Sequence, residues 1–182
     1  MKKYFIIFIM LFLFIFSSYG SNNSFWKIKH FVDEFDMPTN RSYIVNEKYE
    51  KGKFSNSATT DSKLDVVVFF QDFADTKEEF ISFGLIEYGW NEVKNSFSEN
   101  EYYDIRMMDN AGQKYTLTGY MPAKGSKVRI VNNDCEIVVN ALKQGGTVRF
   151  VFVEKENGLN KYSFTIDANG FNEAYSEWKA KK

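Results

Sequence analysis

The chain has one cysteine, one histidine and two prolines in 182 residues, and each scarcity closes a route. A lone Cys135 cannot form an internal disulfide, so the fold has to be held by its core. With His30 as the single histidine, neither a histidine-based catalytic triad nor a multi-histidine metal centre has its residues. No glycine-rich phosphate loop of the dinucleotide type and no nucleophile elbow is present. Net charge is scarce too, with 23 Lys and Arg against 24 Asp and Glu. A nucleic-acid binder needs a basic face, and capture by anionic lipid needs a basic surface, so this balance argues against both. No catalytic residue, cofactor or metal site is assigned.

Long apolar runs are also lacking, with one exception. Lys2 and Lys3 precede an uncharged run from Tyr4 to Phe16, followed by Ser17, Ser18, Tyr19 and Gly20 and then the polar Ser21 to Ser24. This is the order of a secretory signal peptide. Cleavage after Gly20 would leave Ser18 and Gly20 at the two positions the processing enzyme reads. The run falls short of the ~20 residues that span a bilayer, so membrane contact is expected only through this segment, if it stays uncleaved. A lipoprotein would need a cysteine at the cut, and Cys135 is far from it. The expectation is a periplasmic or secreted protein. Residues 1–20 are its signal peptide and residues 21–182 a single β-rich domain of net charge −3.

What the chain has is aromatic side chains: 19 Phe, 11 Tyr and 3 Trp, of which five Phe and two Tyr fall in the leader. Most of the domain carries them in the two-residue rhythm of strands. Strands are predicted over Phe25–Phe31, over Arg41–Phe54 with a bend near Lys51-Gly52, and over Leu64–Gln71 and Glu79–Tyr88. Val67 and Phe69 oppose Leu64, Val66, Val68 and Phe70, which makes the third strand buried on both faces and central. Glu101–Met108 and Gln113–Met121 flank Asp109-Asn110-Ala111-Gly112, the clearest hairpin signal in the chain. Lys127–Val131, Thr147–Lys155 and Lys161–Asp167 complete the strands. Cys135, Val138, Val139 and Leu142 fall at helical spacing, with Asn133 and Glu136 placed as a capping box. Phe171, Ala174, Tyr175 and Trp178 form the apolar stripe of a terminal helix, with Asn169 as its cap.

This order predicts a mainly β fold. The form expected is an antiparallel β-sandwich with one short helix between late strands and another at the C-terminus; a partly open barrel is the alternative. Two stretches resemble known patterns. Glu136–Lys143, Thr147–Phe152, Phe164–Asp167 and Gly170–Ala174 resemble the exported β-domains of type VI secretion-associated accessory proteins and of the invasion-associated locus B type. Trp26 through Asp33–Thr39 to Gly52–Thr60 is similar to a pattern of uncharacterised exported bacterial proteins. The resemblance implies a non-enzymatic, extracytoplasmic β-rich domain and carries no catalytic residues over. Family members with paired cysteines are not matched, since Cys135 is alone.

Residue by residue, the chemistry points the same way. His30 reads as a half-buried packing residue on a strand face, and Cys135 as a small buried hydrophobe rather than a nucleophile. Asp33, Glu34 and Asp36, clustered before Pro38, read as a solvated turn; paired carboxylates could instead hold calcium or cleave a glycoside. The hydroxyl-rich Ser55–Thr60 reads as a connection. Tyr88, Trp90, Tyr102 and Tyr103 are the candidates for a binding surface, because aromatics at loop ends anchor sugars or protein partners. The expected function is a non-catalytic, protein-binding or accessory module of the bacterial envelope, with an envelope protein as partner. The alternative is a small carbohydrate-binding module or glycoside-acting enzyme using Asp33–Asp36.

Overall fold

The computed structural model describes residues 25–182 except residue 157. The expected signal peptide lies outside the described residues. Eleven strands and two helices follow one another: β1 (Trp26–Val32), β2 (Pro38–Asn46), β3 (Glu50–Ser55), β4 (Ser62–Asp72), β5 (Glu79–Glu87), β6 (Asn91–Glu92), β7 (Glu101–Met108), β8 (Lys114–Met121), β9 (Lys127–Ile130), α1 (Asn132–Lys143), β10 (Thr147–Glu154), β11 (Lys161–Asp167) and α2 (Phe171–Ala180). The fold is mainly β and every strand pairing is antiparallel.

Eight strands close on themselves in the order β4-β3-β11-β10-β7-β8-β9-β5, with the β4–β5 pairing completing the ring. A closed barrel therefore stands where the sequence predicted a sandwich, in line with the barrel alternative. Alternation along a strand records which faces are buried; it does not record which distant strands meet. Here the deciding pairings are remote in sequence, such as Phe54 with Tyr162 and Phe83 with Val128. An eight-stranded barrel is just wide enough for side chains to fill. Phe83 sits at its centre, 5.4 Å from Phe150, 5.1 Å from Phe152 and 5.9 Å from Phe164, ring centroid to centroid.

The central strand β4 does two jobs along one edge. Its first half pairs with β3, from Phe54 opposite Ser62 to Glu50 opposite Val66, and its second half pairs with β2 at Ile44–Phe70 and Val45–Phe69. The hairpin of β1 and β2 is thus an extension of the barrel wall. The predicted bend at Lys51-Gly52 lies earlier, at residues 47–49, because Asn46 organises the turn. Its side-chain amide donates to the Lys48 carbonyl at 2.8 Å and its Oδ1 accepts from the Val68 amide at 2.6 Å.

Both helices lie at one end of the barrel, since α1 links the end of β9 to the start of β10 and α2 follows β11. Helix α1 buries Cys135, Val138, Val139, Ala141 and Leu142. Neither helix has the predicted side-chain cap. Asn133 is not a cap, because the helix already starts at Asn132 after an extended Val131. Asn169 is bound elsewhere, accepting from the Gly146 amide at 3.0 Å, while a left-handed Gly170 turns the chain into α2. The opposite end carries four connections, at residues 56–61, 88–100 with the short β6 inside it, 122–126, and 155–160 apart from residue 157. No helix of the described residues is long and apolar enough to cross a membrane.

Candidate functional site

The loop end gathers most of the residues the sequence singled out. Its loops are tied together by backbone bonds: the Tyr88 amide donates to the Lys63 carbonyl at 2.9 Å, the Asn95 amide to Gly125 at 2.9 Å, and the Lys155 amide to Tyr102 at 2.8 Å. On this frame the large apolar side chains Tyr88, Trp90, Phe97, Tyr102 and Leu159 are exposed, Trp90 by 80% and Phe97 by 63%. Five such side chains at one end make this the candidate surface; a second exposed apolar group, Val32, Phe35 and Met37, lies at the β1–β2 turn. Tyr88 is the best anchored, its ring meeting Phe54 edge-on at 4.9 Å. Tyr103 differs from its neighbours, because alternation turns it into the barrel where it is fully buried. It therefore supports the loop end from beneath and offers no surface.

Carboxylates line the inner rim of the same end. The Tyr103 hydroxyl donates to Glu101, and the Tyr162 hydroxyl donates to Glu87 at 3.2 Å. Glu154 is buried, and its Oε2 accepts from the Asn160 side-chain Nδ2 at 2.5 Å. Burial, chiefly, raises the Glu101 carboxyl above its ordinary range; the charges of Glu154 and Glu156 add to this, and the Tyr103 bond opposes it. Burial and the adjacent carboxylates likewise push both tyrosine hydroxyls well above the usual phenol range, so they stay neutral donors. The result is an end with exposed aromatic side chains over the carboxylates of Glu87, Glu101 and Glu154, with Lys63, Lys124 and Lys155 in and beside its loops. Among the described residues, no group of three or more His, Cys, Asp or Glu side chains is arranged to hold a metal ion.

Phe97 and Leu159 belong to this surface and were missed in the sequence. A lone Phe97 inside the polar run Asn95–Asn100 was the available signal, because an apolar side chain among solvated neighbours has no core to face. Phe97 shares a small pocket of about 150 Å³ with Glu99, Glu101 and Glu156.

The remaining candidates lie elsewhere. Asp33, Glu34 and Asp36 sit on the exposed turn between β1 and β2. Asp33 Oδ1 accepts from the amides of Phe35 and Met37, both at 2.9 Å, so this carboxylate holds its own turn. His30 is exposed, where the sequence predicted a half-buried residue, and its Nδ1–H donates to the Thr39 carbonyl at 3.1 Å. The reason is its position on β1, whose outer neighbour is solvent. Cys135 is buried at the helix end, and that burial pushes its thiol up to about 12. It borders an open groove of about 800 Å³ whose central charges are already matched. There Lys179 pairs with Glu79 at 2.5 Å, the Tyr175 hydroxyl donates to Glu79 at 3.2 Å, and the Lys143 ammonium lies 3.9 Å from the Tyr175 ring centroid.

Comparison of the chain with protein-family models, with curated proteins and with solved structures finds no match.

Proposed function

We propose that this protein is a non-catalytic binding module that works outside the cytoplasm and holds a partner protein of the cell envelope on the loop end of its barrel. The carrying observation is the group of exposed Tyr88, Trp90, Phe97, Tyr102 and Leu159 above a rim containing Glu87, Glu101 and Glu156. Aromatic anchors surrounded by polar residues are the anatomy of a protein-binding hot spot. The carboxylates of the rim select a partner that brings Lys or Arg beside an apolar anchor. The leader-like N-terminus supports export, and the family resemblance of the C-terminal third implies the same compartment.

The test is crosslinking in the envelope fraction of cells expressing the full chain, with and without W90A and F97A together. A partner captured by the parent and lost with the double variant, at an unchanged melting midpoint, is the expected result. Equal capture by both chains, or a protein that stays wholly in the cytosol, would defeat the proposal.

A further inference from the structure

A second built surface lies on the outer wall of the barrel, where β4, β5 and β9 meet the β1–β2 hairpin. It is a trough of about 470 Å³ lined by Phe31, Tyr43, Phe69, Ser82, Lys127 and Arg129, among others, with no acidic residue in its lining. Its floor is the small residue Ser82 of β5, with Gly84 two positions further along the same outer face. Ser82 lies opposite Phe69 on one side and Arg129 on the other; Gly84 lies opposite Val67 and Lys127. A Cβ on Gly84 would come within 2.7 Å of Val67 Cγ1, so this position keeps glycine to seat Val67 beside the trough.

The two walls differ in chemistry. On one side Phe69, Tyr43 and Phe31 form a continuous aromatic row, with centroids 5.9 Å and 4.8 Å apart. On the other, the Lys127 ammonium leans over Phe69 at 5.2 Å and the Arg129 guanidinium over Phe80 at 5.3 Å. Neither cation is in an ion pair among the described residues. On a chain of net negative charge, this is a local reversal of sign.

Between the walls lies an unpartnered donor. Ser82 is 1% exposed, and its Oγ is the one buried side-chain nitrogen or oxygen among the described residues without a hydrogen-bond partner. Buried polar groups are nearly always bonded, and an orphan costs stability. A ligand acceptor in the trough would remove that cost.

We propose that this trough binds a small organic anion with a planar apolar body. Its carboxylate lies between Lys127 and Arg129 and accepts from the Ser82 hydroxyl, and its body lies along Phe69, Tyr43 and Phe31. The cations and the orphan hydroxyl select the carboxylate, and the aromatic row selects the apolar body.

The probe is 2-naphthoate, titrated calorimetrically into protein purified from cells expressing the full chain. Saturable binding that weakens with added salt is expected. The neutral methyl ester and inorganic phosphate should each bind roughly tenfold more weakly or worse, because each lacks one half of the recognition. Ser82→Ala should weaken naphthoate binding about tenfold while leaving the melting midpoint of the free protein unchanged or raised, since it deletes an unsatisfied group. Lys127→Gln with Arg129→Gln should abolish binding. Should that double variant fail to fold, amide shifts of the parent protein on titration decide, and they are expected at β4, β5 and β9. The proposal is overturned by no saturable binding, by ester or phosphate binding as tightly as naphthoate, by an unaltered affinity in Ser82→Ala, or by shifts confined to other strands.

Discussion

The indole N–H of Trp178 donates to the carbonyl of Ser42 at 3.1 Å, joining the last helix to the second strand. The bond helps to hold the β1–β2 hairpin on the barrel, with which its strand ladder is short, Ile44–Phe70 and Val45–Phe69; Asn46 Oδ1 accepting from the Val68 amide at 2.6 Å and Arg41 donating to the Asp72 carbonyl at 3.2 Å add to it. Helix α2 fills the angle between hairpin and barrel. Phe70 meets Trp178 at 5.2 Å and Phe171 at 6.0 Å, and Trp26 meets Phe171 at 5.0 Å. Trp26 adds its own bond from the indole N–H to the Asp167 carbonyl at 3.0 Å. Hairpin and helix therefore stabilise each other.

Trp178→Ala should for this reason destabilise the protein by ~3–5 kcal/mol, the range for deleting a buried aromatic side chain. Thermal or denaturant unfolding measures it. Amide exchange should also show β1 and β2 losing protection before the barrel strands do, because their clamp is gone. An unchanged midpoint would mean that α2 is not docked.

The two exposed aromatics nearest each other in the chain should separate binding from stability. Trp90 is 80% exposed, so Trp90→Ala should move stability by less than ~0.5 kcal/mol. Tyr88 packs on Phe54, so Tyr88→Ala should lower the midpoint measurably. Both should weaken partner capture. A large stability loss from Trp90→Ala would show that its ring is covered, which would remove it from the binding surface.

How far the sequence reaches is visible in individual residues. Leu64, Val66, Val68 and Phe70 are fully buried while Val67 and Phe69 are half-buried, as their alternation indicated, because side-chain direction has period two. The Asp109 turn was legible for the same local reason: its Oδ1 accepts from the Ala111 and Gln113 amides at 3.0 and 2.9 Å, and Gly112 takes φ 85°. Barrel closure was not legible, since the Phe54–Tyr162 pairing joins strands that have no local sequence relation. For the loop end, Tyr88, Trp90 and Tyr102 were readable as exposed aromatics, yet their assembly with Phe97 and Leu159 depends on that closure. Tyr103 was misassigned to the surface because its neighbour Tyr102 occupies the outward position. The trough was invisible, because Ser82 looks like an ordinary small strand residue until Arg129 and Phe69 flank it.

The rim carboxylates set a pH dependence. Glu101 titrates above the ordinary value of 4.5 in the folded state, mainly through burial, so folding favours its protonated form. The folded state then binds more protons than the unfolded one, and stability falls as pH rises from 4.5 through the raised value. Glu101→Gln keeps an acceptor for the Tyr103 hydroxyl and removes the charge. The variant should gain stability relative to the parent as pH is raised across that window and show little difference below it. Melting midpoints of both chains across acidic to neutral pH test this, and a difference of opposite sign would show that the Tyr103 bond outweighs burial.

Cys135 provides a probe of the helix end. It is 3% exposed on α1, and burial holds its thiol near 12, so almost no thiolate forms in mildly alkaline buffer. Disulfide exchange requires that thiolate and access to it. A chromogenic aromatic disulfide should therefore leave the native protein unlabelled over the time in which the denatured chain reacts fully. Labelling in the native state should follow the opening of α1, and Trp178→Ala should accelerate it, because α1 packs against α2. Rapid stoichiometric labelling of the folded parent would place the thiol at the surface and return Cys135 to the reactive class. Slow labelling unaffected by Trp178→Ala would mean that α1 opens independently of the terminal helix.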